Sequence, residues 1–107
     1  MENVSPYGVS ASGELDAWIH VRVLRNPPSP VYPAYSTNPD EATRLRKAFE
    51  ERFGLRVTIG RTQIKEASWF ARYETDLGNP TEVIADTYPL AMCRLAVLRT
   101  KLADESR

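Results

Sequence analysis

Residues 38–59, NPDEATRLRKAFEERFGLRVTI, carry the signals of a helix followed directly by a strand. Asn38 is a favoured helix N-cap, and Pro39 suits the first helical position. Gly54 supplies the left-handed residue that commonly ends a helix. Residues 55–59 then alternate apolar and polar side chains, as a half-buried strand does. The stretch therefore predicts a helix that ends at Gly54 and a strand that follows it.

Two further strands follow this unit. Residues 68–74 place Trp69, Ala71 and Tyr73 on one face, and residues 81–85 form a third short strand. Short connections of this kind join antiparallel neighbours. The three strands are therefore expected to form one antiparallel sheet.

The last helix is expected from Thr87, a favoured N-cap, to Leu102. Its apolar residues form a broad surface, and the helix after Asn38 has an apolar stripe of its own. Both helices need an apolar surface to cover, and one face of an antiparallel sheet provides it. The predicted fold class is α+β: an N-terminal helix, then an α-β-β-β-α two-layer sandwich with a three-stranded antiparallel sheet and helices on one face.

The N-terminal part of the chain has two interpretations. Ser12 is a favoured N-cap and the first turn after it is acidic, which favours a helix over residues 13–25. The rival interpretation is a strand, because residues 19–23 alternate. The expected organisation is a flexible N-terminus over 1–12, this helix over 13–25, a Pro-rich connector over 26–34, an αβββα domain over 35–102 and a loose tail over 103–107.

Composition limits the classes of function. The chain has 107 residues, which is one domain by size, and 14 Lys and Arg balance 14 Asp and Glu. A chain without net charge lacks the positive field of a non-specific nucleic-acid binder. No apolar run is long enough for a membrane span, and the N-terminus does not resemble a secretory signal. Because Cys93 is the single cysteine, no internal disulfide forms, and a cytoplasmic location is expected.

Residues that could carry catalysis are few. The single histidine, His20, lies in the N-terminal helix, and Cys93 lies among apolar residues of the last helix, so both are interpreted as structural. Glu82 and Asp86 could pair for acid–base chemistry, yet each is interpreted as a solvated residue at a strand end. No Cys, His or carboxylate cluster has metal-ligand spacing. We therefore predict a protein that is not an enzyme and needs no cofactor or metal.

The face of the sheet that the helices leave uncovered is the first candidate for recognition. Alternation directs five side chains to this face: Arg56, Thr58, Phe70, Arg72 and Ile84. Aromatic residues and arginine are enriched in protein interfaces. The alternatives are that isolated apolar residues are simply exposed, or that the first helix or a second copy of the chain covers this face.

The segment 61–67 is the second candidate, because it is long for a hairpin loop. Arg61, Ile64 and Lys65 place basic and apolar side chains there, and loops often carry recognition residues. The alternative is an irregular hairpin loop without a binding role.

Four segments resemble, in order, the motifs of the phage ABA-sandwich domain, a family of small phage and prophage proteins of largely unknown function. They are ELDA at 14–17, YSTN at 35–38, WFARY at 69–73 and TYPLAMCRLA at 87–96. The resemblance implies an α/β sandwich and an origin in a mobile element. It implies no catalytic residues, because the family offers no catalytic motif to carry over. Asn38 stands where an aspartate is common, and either residue caps a helix.

The α-β-β-β-α order is also that of the double-stranded-RNA-binding domain. That domain grips phosphates with lysines at the start of its final helix. The corresponding residues 87–91 read TYPLA, without a lysine. The shared topology therefore does not supply the function.

Three hypotheses follow. The first is a phage- or prophage-encoded binding module that engages a host or defence-system protein, with an anti-CRISPR-like inhibitor as one form. The second is a nucleic-acid-binding module that uses Arg56, Arg72 and the segment 61–67 with Arg61 and Lys65. The third is a self-associating structural protein, a homodimer through the open sheet face or the first helix. No membrane partner is expected.

Overall fold

The computed structural model describes residues 8–63, 68–74, 78 and 80–105. Within this part of the chain the elements are α1, Gly13–Trp18, continued by a π-helical turn, Ile19–Val23; α2, Pro39–Phe53; β1, Val57–Arg61; β2, Trp69–Glu74; β3, Pro80–Ala85; and α3, Tyr88–Glu105. The strands form one antiparallel sheet in the order β1-β2-β3. These elements confirm the predicted α+β class.

The N-terminal helix begins where its cap predicts. Ser12 is extended, and its Oγ accepts a hydrogen bond from the Leu15 backbone N–H at 3.0 Å. Residues 19–23 are helical and not a strand, although the turn is wider than an α-helix, since the Leu24 N–H donates to the Ile19 carbonyl five residues earlier. The buried side chains of this segment include Leu15, Trp18, Ile19 and Val23.

Helix α2 forms as its capping residues predict. The Asn38 Oδ1 accepts hydrogen bonds from the backbone N–H groups of Asp40 at 2.8 Å and Glu41 at 3.3 Å. Gly54 ends the helix in the left-handed conformation, with φ of 64°. The stripe that α2 buries consists of Ala42, Leu45 and Phe49.

One face of the sheet is buried against the helices. The buried strand residues alternate as predicted and are Val57, Ala71, Tyr73, Val83 and Ala85. Strand β1 begins at Val57, later than the sequence predicts. At Val57, side chains of α2 bind both the backbone N–H and the backbone carbonyl. The Val57 N–H donates to Glu50 Oε2, and the Val57 carbonyl accepts from Arg46 Nη2, each at 2.8 Å. These bonds anchor the start of the sheet to α2.

The N-terminal segment is part of the core and not a tethered element. Val9 is buried, and its carbonyl accepts a hydrogen bond from Arg94 Nε at 2.9 Å. Val9 is therefore packed, although it belongs to the range 1–12 that was expected to be flexible, and residues 1–7 lie outside the described residues. One continuous hydrophobic core contains α1, the π-helical turn, α2, α3 and the sheet. The first helix thus belongs to the helix layer and does not cover the far face of the sheet.

Helix α3 is central to this core. Thr87 Oγ1 accepts a hydrogen bond from the Leu90 N–H at 3.3 Å, as a cap residue does. The helix contacts α2, the π-helical turn, β2 and β3, which explains its broad apolar surface. It continues to Glu105, so residues 103–105 are helical where a loose tail was expected; residues 106–107 are not described.

Candidate functional site

The outer sheet face is the surface of the sheet opposite the helices. We define it by two rows of cross-strand neighbours: Thr58, Arg72 and Glu82 in one row, and Gly60, Phe70 and Ile84 in the next. The four strand residues predicted to face outward all belong to this set, and they are exposed or half-buried. Ala71 and Val83, which alternate with them, are buried on the opposite face. The strand alternation therefore predicted this surface correctly.

Phe70 forms the centre of the outer sheet face because its ring lies over Gly60 on the neighbouring strand. A Cβ atom at Gly60 would stand 2.9 Å from Cε1 and 3.0 Å from Cζ of this ring. Aromatic side chains commonly cover strand glycines in this way. The Arg72 Cζ lies 5.5 Å from the ring centroid, which is within cation–π range. The centre of the face is therefore the Phe70 ring with the Arg72 guanidinium next to it.

The charged residues on this side of the sheet balance one another. Arg72 stands directly across from Glu82 in the β2–β3 register. Arg56, which precedes β1 and is exposed, lines a depression together with Thr58, Arg72 and Glu74. Among the described residues, two arginines and two glutamates therefore lie on or beside the face. Such a surface does not concentrate the positive charge that a phosphate backbone attracts.

Arg61 was predicted to lie in the loop segment 61–67, but it belongs to a strand and does not lie on the outer sheet face. It is the last residue of β1 and pairs with Trp69, so it shares the opposite, helix-side face with that residue. Its Cζ lies 5.0 Å from the Trp69 ring centroid. Arg61 and Arg72 therefore point to different sides of the sheet. Ile64 and Lys65 lie outside the described residues.

The two outer strands have helix side chains bound at their backbone. Arg46 and Glu50 occupy the carbonyl and N–H of Val57 in β1. In β3, the Ile84 carbonyl accepts a hydrogen bond from Arg94 Nη1 at 2.8 Å. At these residues the backbone groups are engaged and do not pair with a strand of another chain.

His20 and Cys93 both pack against neighbouring side chains. His20 Nδ1 lies 3.0 Å from the Tyr35 Oη, and its ring packs on Tyr32 with centroids 5.3 Å apart. Cys93 is fully buried, and desolvation, with a smaller contribution from the Asp16 carboxylate, raises the pKa of its thiol. A thiol that stays protonated is a poor nucleophile.

The motifs that resemble the phage family occupy packing positions. The buried Asp16 accepts a hydrogen bond on Oδ1 from the Ser36 N–H at 2.8 Å, and Ser36 Oγ accepts one from the Ser12 N–H at 3.2 Å. Arg94 joins the N-terminal segment and β3 to α3, and burial lowers its pKa. These residues tie the ends of the domain together, so their part in the fold is architectural.

The carboxylates considered for acid–base chemistry lie at the surface. Glu82 is exposed on the outer sheet face and Asp86 is exposed after β3. In the described part of the chain, no group of His, Cys, Asp or Glu side chains is arranged to hold a metal ion. Among the same residues, no helix is both long and apolar enough to cross a bilayer.

The patterns in the sequence do not indicate a second surface, which the structure reveals. The arginine corner, as we call it, comprises Arg22, Arg25, Arg52 and Arg99 at one end of the helix layer. Arg52 Cζ and Arg99 Cζ lie 4.6 Å and 4.8 Å from the centroid of the Phe53 ring. Arg25 and Arg52 together line two adjacent open concavities. No sequence motif indicates this cluster, because an arginine at the end of a helix is ordinary on its own.

No protein-family model, curated protein or solved structure matches this chain significantly. The resemblance to the phage ABA-sandwich family therefore rests on its four motifs alone.

Proposed function

We propose that this chain is a non-catalytic binding module that engages another protein through the outer sheet face. The observation that carries the proposal is the Phe70 ring, which lies over Gly60 with the Arg72 guanidinium 5.5 Å from its centroid. Aromatic and arginine side chains at the centre of a surface are typical anchors of protein interfaces. The balanced charge around them fits a protein partner better than a phosphate backbone.

The motif resemblance supports a phage or prophage origin, and hence a partner among host or defence-system proteins in the bacterial cytoplasm. A small protein of this kind acts by occupying a surface that its target needs. Inhibition of a defence protein, in the manner of an anti-CRISPR inhibitor, is the most specific form of the proposal.

A pull-down with the immobilised full chain from bacterial lysate tests the proposal. Phe70→Glu places a charge at the centre of the face without altering the buried side of the sheet. Val31→Glu is the matched control, because Val31 is an apolar residue that is 80% exposed in the connector, away from the face. We expect the wild-type chain and V31E to retain the same protein and F70E to lose it, with circular dichroism showing that all three are folded.

Three results would contradict the proposal. F70E could retain the partner as well as the wild-type chain does, or no protein could be retained above background. Steeply salt-dependent binding of single- or double-stranded nucleic acid that Arg72→Ala weakens would instead favour the nucleic-acid hypothesis. Sedimentation as a dimer that F70E converts to a monomer would favour self-association through the same face.

A further inference from the structure

The arginine corner is built where the C-terminal ends of two helical segments meet. Arg22 lies near the end of the π-helical turn, and Arg25 follows that turn. Arg52 lies in the last turn of α2. The exposed carbonyls at a helix end carry partial negative charge and attract cations. Arg52 Nη1 donates hydrogen bonds to the carbonyls of Arg22 and Val23. The two helix ends therefore share one arginine, which fixes their relative position.

Other contacts hold the remaining guanidinium groups in place. Arg99 stacks on the Phe53 ring from α3, as Arg52 does from α2. Arg22 stacks on Trp18 with its Cζ 5.2 Å from the ring centroid, and its Nη2 lies 3.1 Å from Asp104 Oδ2. Groups that are already positioned lose little conformational entropy when a ligand binds.

Arg25 is the residue whose identity the fold does not explain. It follows the helical segment in the left-handed conformation, with φ of 56°, and it is the one described residue other than glycine with positive φ. Glycine is favoured at such a position because a Cβ atom makes the conformation costly. Within the described residues, Arg25 has no ion pair or side-chain hydrogen bond to offset that cost. A residue in a costly backbone conformation, with no such bond to offset the cost, points to a role for its side chain.

The concavities beside Arg25 combine apolar and cationic lining. One is lined by Val23, Leu24 and Ala48 together with Arg25 and Arg52. The other is lined by Val21, Arg22, Arg25, Arg52 and Asp104. Among these described side chains, three arginines stand against one aspartate. A lining that combines apolar side chains with forked donors suits a ligand that carries a carboxylate next to an apolar group.

We infer that the arginine corner binds an acidic segment of a partner protein, with a carboxylate on Arg25 and a neighbouring apolar side chain in the Val23, Leu24 and Ala48 concavity. A nucleic acid fits less well, because guanidinium groups already lie over the rings of Phe53 and Trp18, where a base would stack. This inference does not rest on the proposed function, since the corner belongs to the helix layer and the outer sheet face lies on the other side of the sheet.

Fluorescence anisotropy with the full chain at low salt tests the inference. The probe is a short labelled peptide of alternating glutamate and leucine. The matched probes are a glutamate–serine peptide, which keeps the charge and removes the apolar groups, and a single-stranded DNA. We expect the glutamate–leucine peptide to bind tightest of the three, because only this probe satisfies both parts of the site.

Arg25→Gly is the decisive variant, and Arg44→Ala is its control. Loss of one charge-assisted hydrogen bond should weaken peptide binding about tenfold. Arg25→Gly should remain folded, since glycine suits a φ of 56°. Arg44 is exposed on α2 and lies outside the corner, so R44A should bind as the wild-type chain does.

Several outcomes would overturn the inference. The peptide could fail to bind, R25G could bind it with wild-type affinity, or R44A could weaken it as much as R25G does. Equal binding of the glutamate–serine peptide would show that the apolar concavity takes no part. Tighter binding of the DNA, weakened by R25G, would assign the corner to nucleic acid instead.

Discussion

The outer sheet face and the arginine corner are assembled in different ways. The face consists of cross-strand neighbours, so the sheet register alone brings Phe70 beside Gly60 and Ile84. The corner gathers side chains from the π-helical turn, α2 and α3, whose sequence positions run from Arg22 to Arg99. The centre of the face is a ring packed on backbone, whereas the corner depends on guanidinium groups bound to carbonyls and rings.

This difference shows which contacts each surface needs. The face needs the strands to pair in register, because all of its residues come from the strands. The corner needs the π-helical turn to pack against α2 and α3, because its arginines lie in or next to these segments. Substitutions can therefore remove both surfaces, the corner alone or the face alone.

Phe49→Ala should have the largest effect, because Phe49 supports both surfaces. Its ring centroid lies 5.1 Å from that of Phe53, the ring on which two arginines of the corner stack. It lies 6.2 Å from that of Tyr73, which is on the helix-side face of the sheet. Truncating a fully buried phenylalanine costs about 3–5 kcal/mol. Urea denaturation should show this loss, and peptide binding and partner retention should fall together. If Phe49→Ala lost no more stability than Val31→Ala, a substitution at an exposed residue, Phe49 would not support both surfaces.

Arg52→Ala should affect the corner and leave the face intact. The substitution removes hydrogen bonds from a charged donor to two carbonyls at the end of the π-helical turn. We expect a loss of stability of about 1.5–3 kcal/mol, together with loss of glutamate–leucine peptide binding. Thermal denaturation and the two binding assays measure this. If partner retention through the face fell equally, the two surfaces would not be independent.

Gly60→Ala should affect the face and leave the corner intact. The new Cβ atom would stand 2.9 Å from the Phe70 ring, which must move away from the neighbouring strand. We expect a cost of about 1 kcal/mol and weaker partner retention, with peptide binding at the corner unchanged. Gly13→Ala is a useful control, since nothing lies within 4 Å of a Cβ atom at that glycine. Unchanged retention by G60A would mean that the ring position does not matter.

Arg25→Gly should have the smallest effect on stability and should act in the opposite direction. Removing the Cβ atom relieves the left-handed conformation, while the more flexible unfolded chain offsets part of the gain, so we expect about 0.5–1 kcal/mol of stabilisation. Arg56→Gly is the matched control and should gain nothing, because Arg56 lacks a positive φ. Differential scanning calorimetry compares the two variants. A lower melting temperature for R25G would show that the arginine side chain stabilises the fold.

Local signals predicted the helices and the outer sheet face. Asn38 and Gly54 mark the start and the end of α2. The sequence predicted both ends because a capping residue acts on only a few neighbouring residues along the chain. Phe70 and Arg72 face outward because side chains alternate along any strand. Arg61 was assigned to the loop segment 61–67 because β1 runs two residues further than its apolar pattern indicates. That extension places Arg61 opposite Trp69 and on the helix side of the sheet.

The amino-acid sequence by itself determined the element types, the buried face of the sheet and the position of Phe70, because capping and alternation act within a few residues. Only the tertiary structure decided that Val9 and α1 belong to the core and that Arg25 lies beside Arg52. Packing of segments far apart in the chain depends on the shapes of complete surfaces, which no short stretch of residues encodes. The arginine corner is therefore a product of packing, whereas the outer sheet face follows from strand geometry.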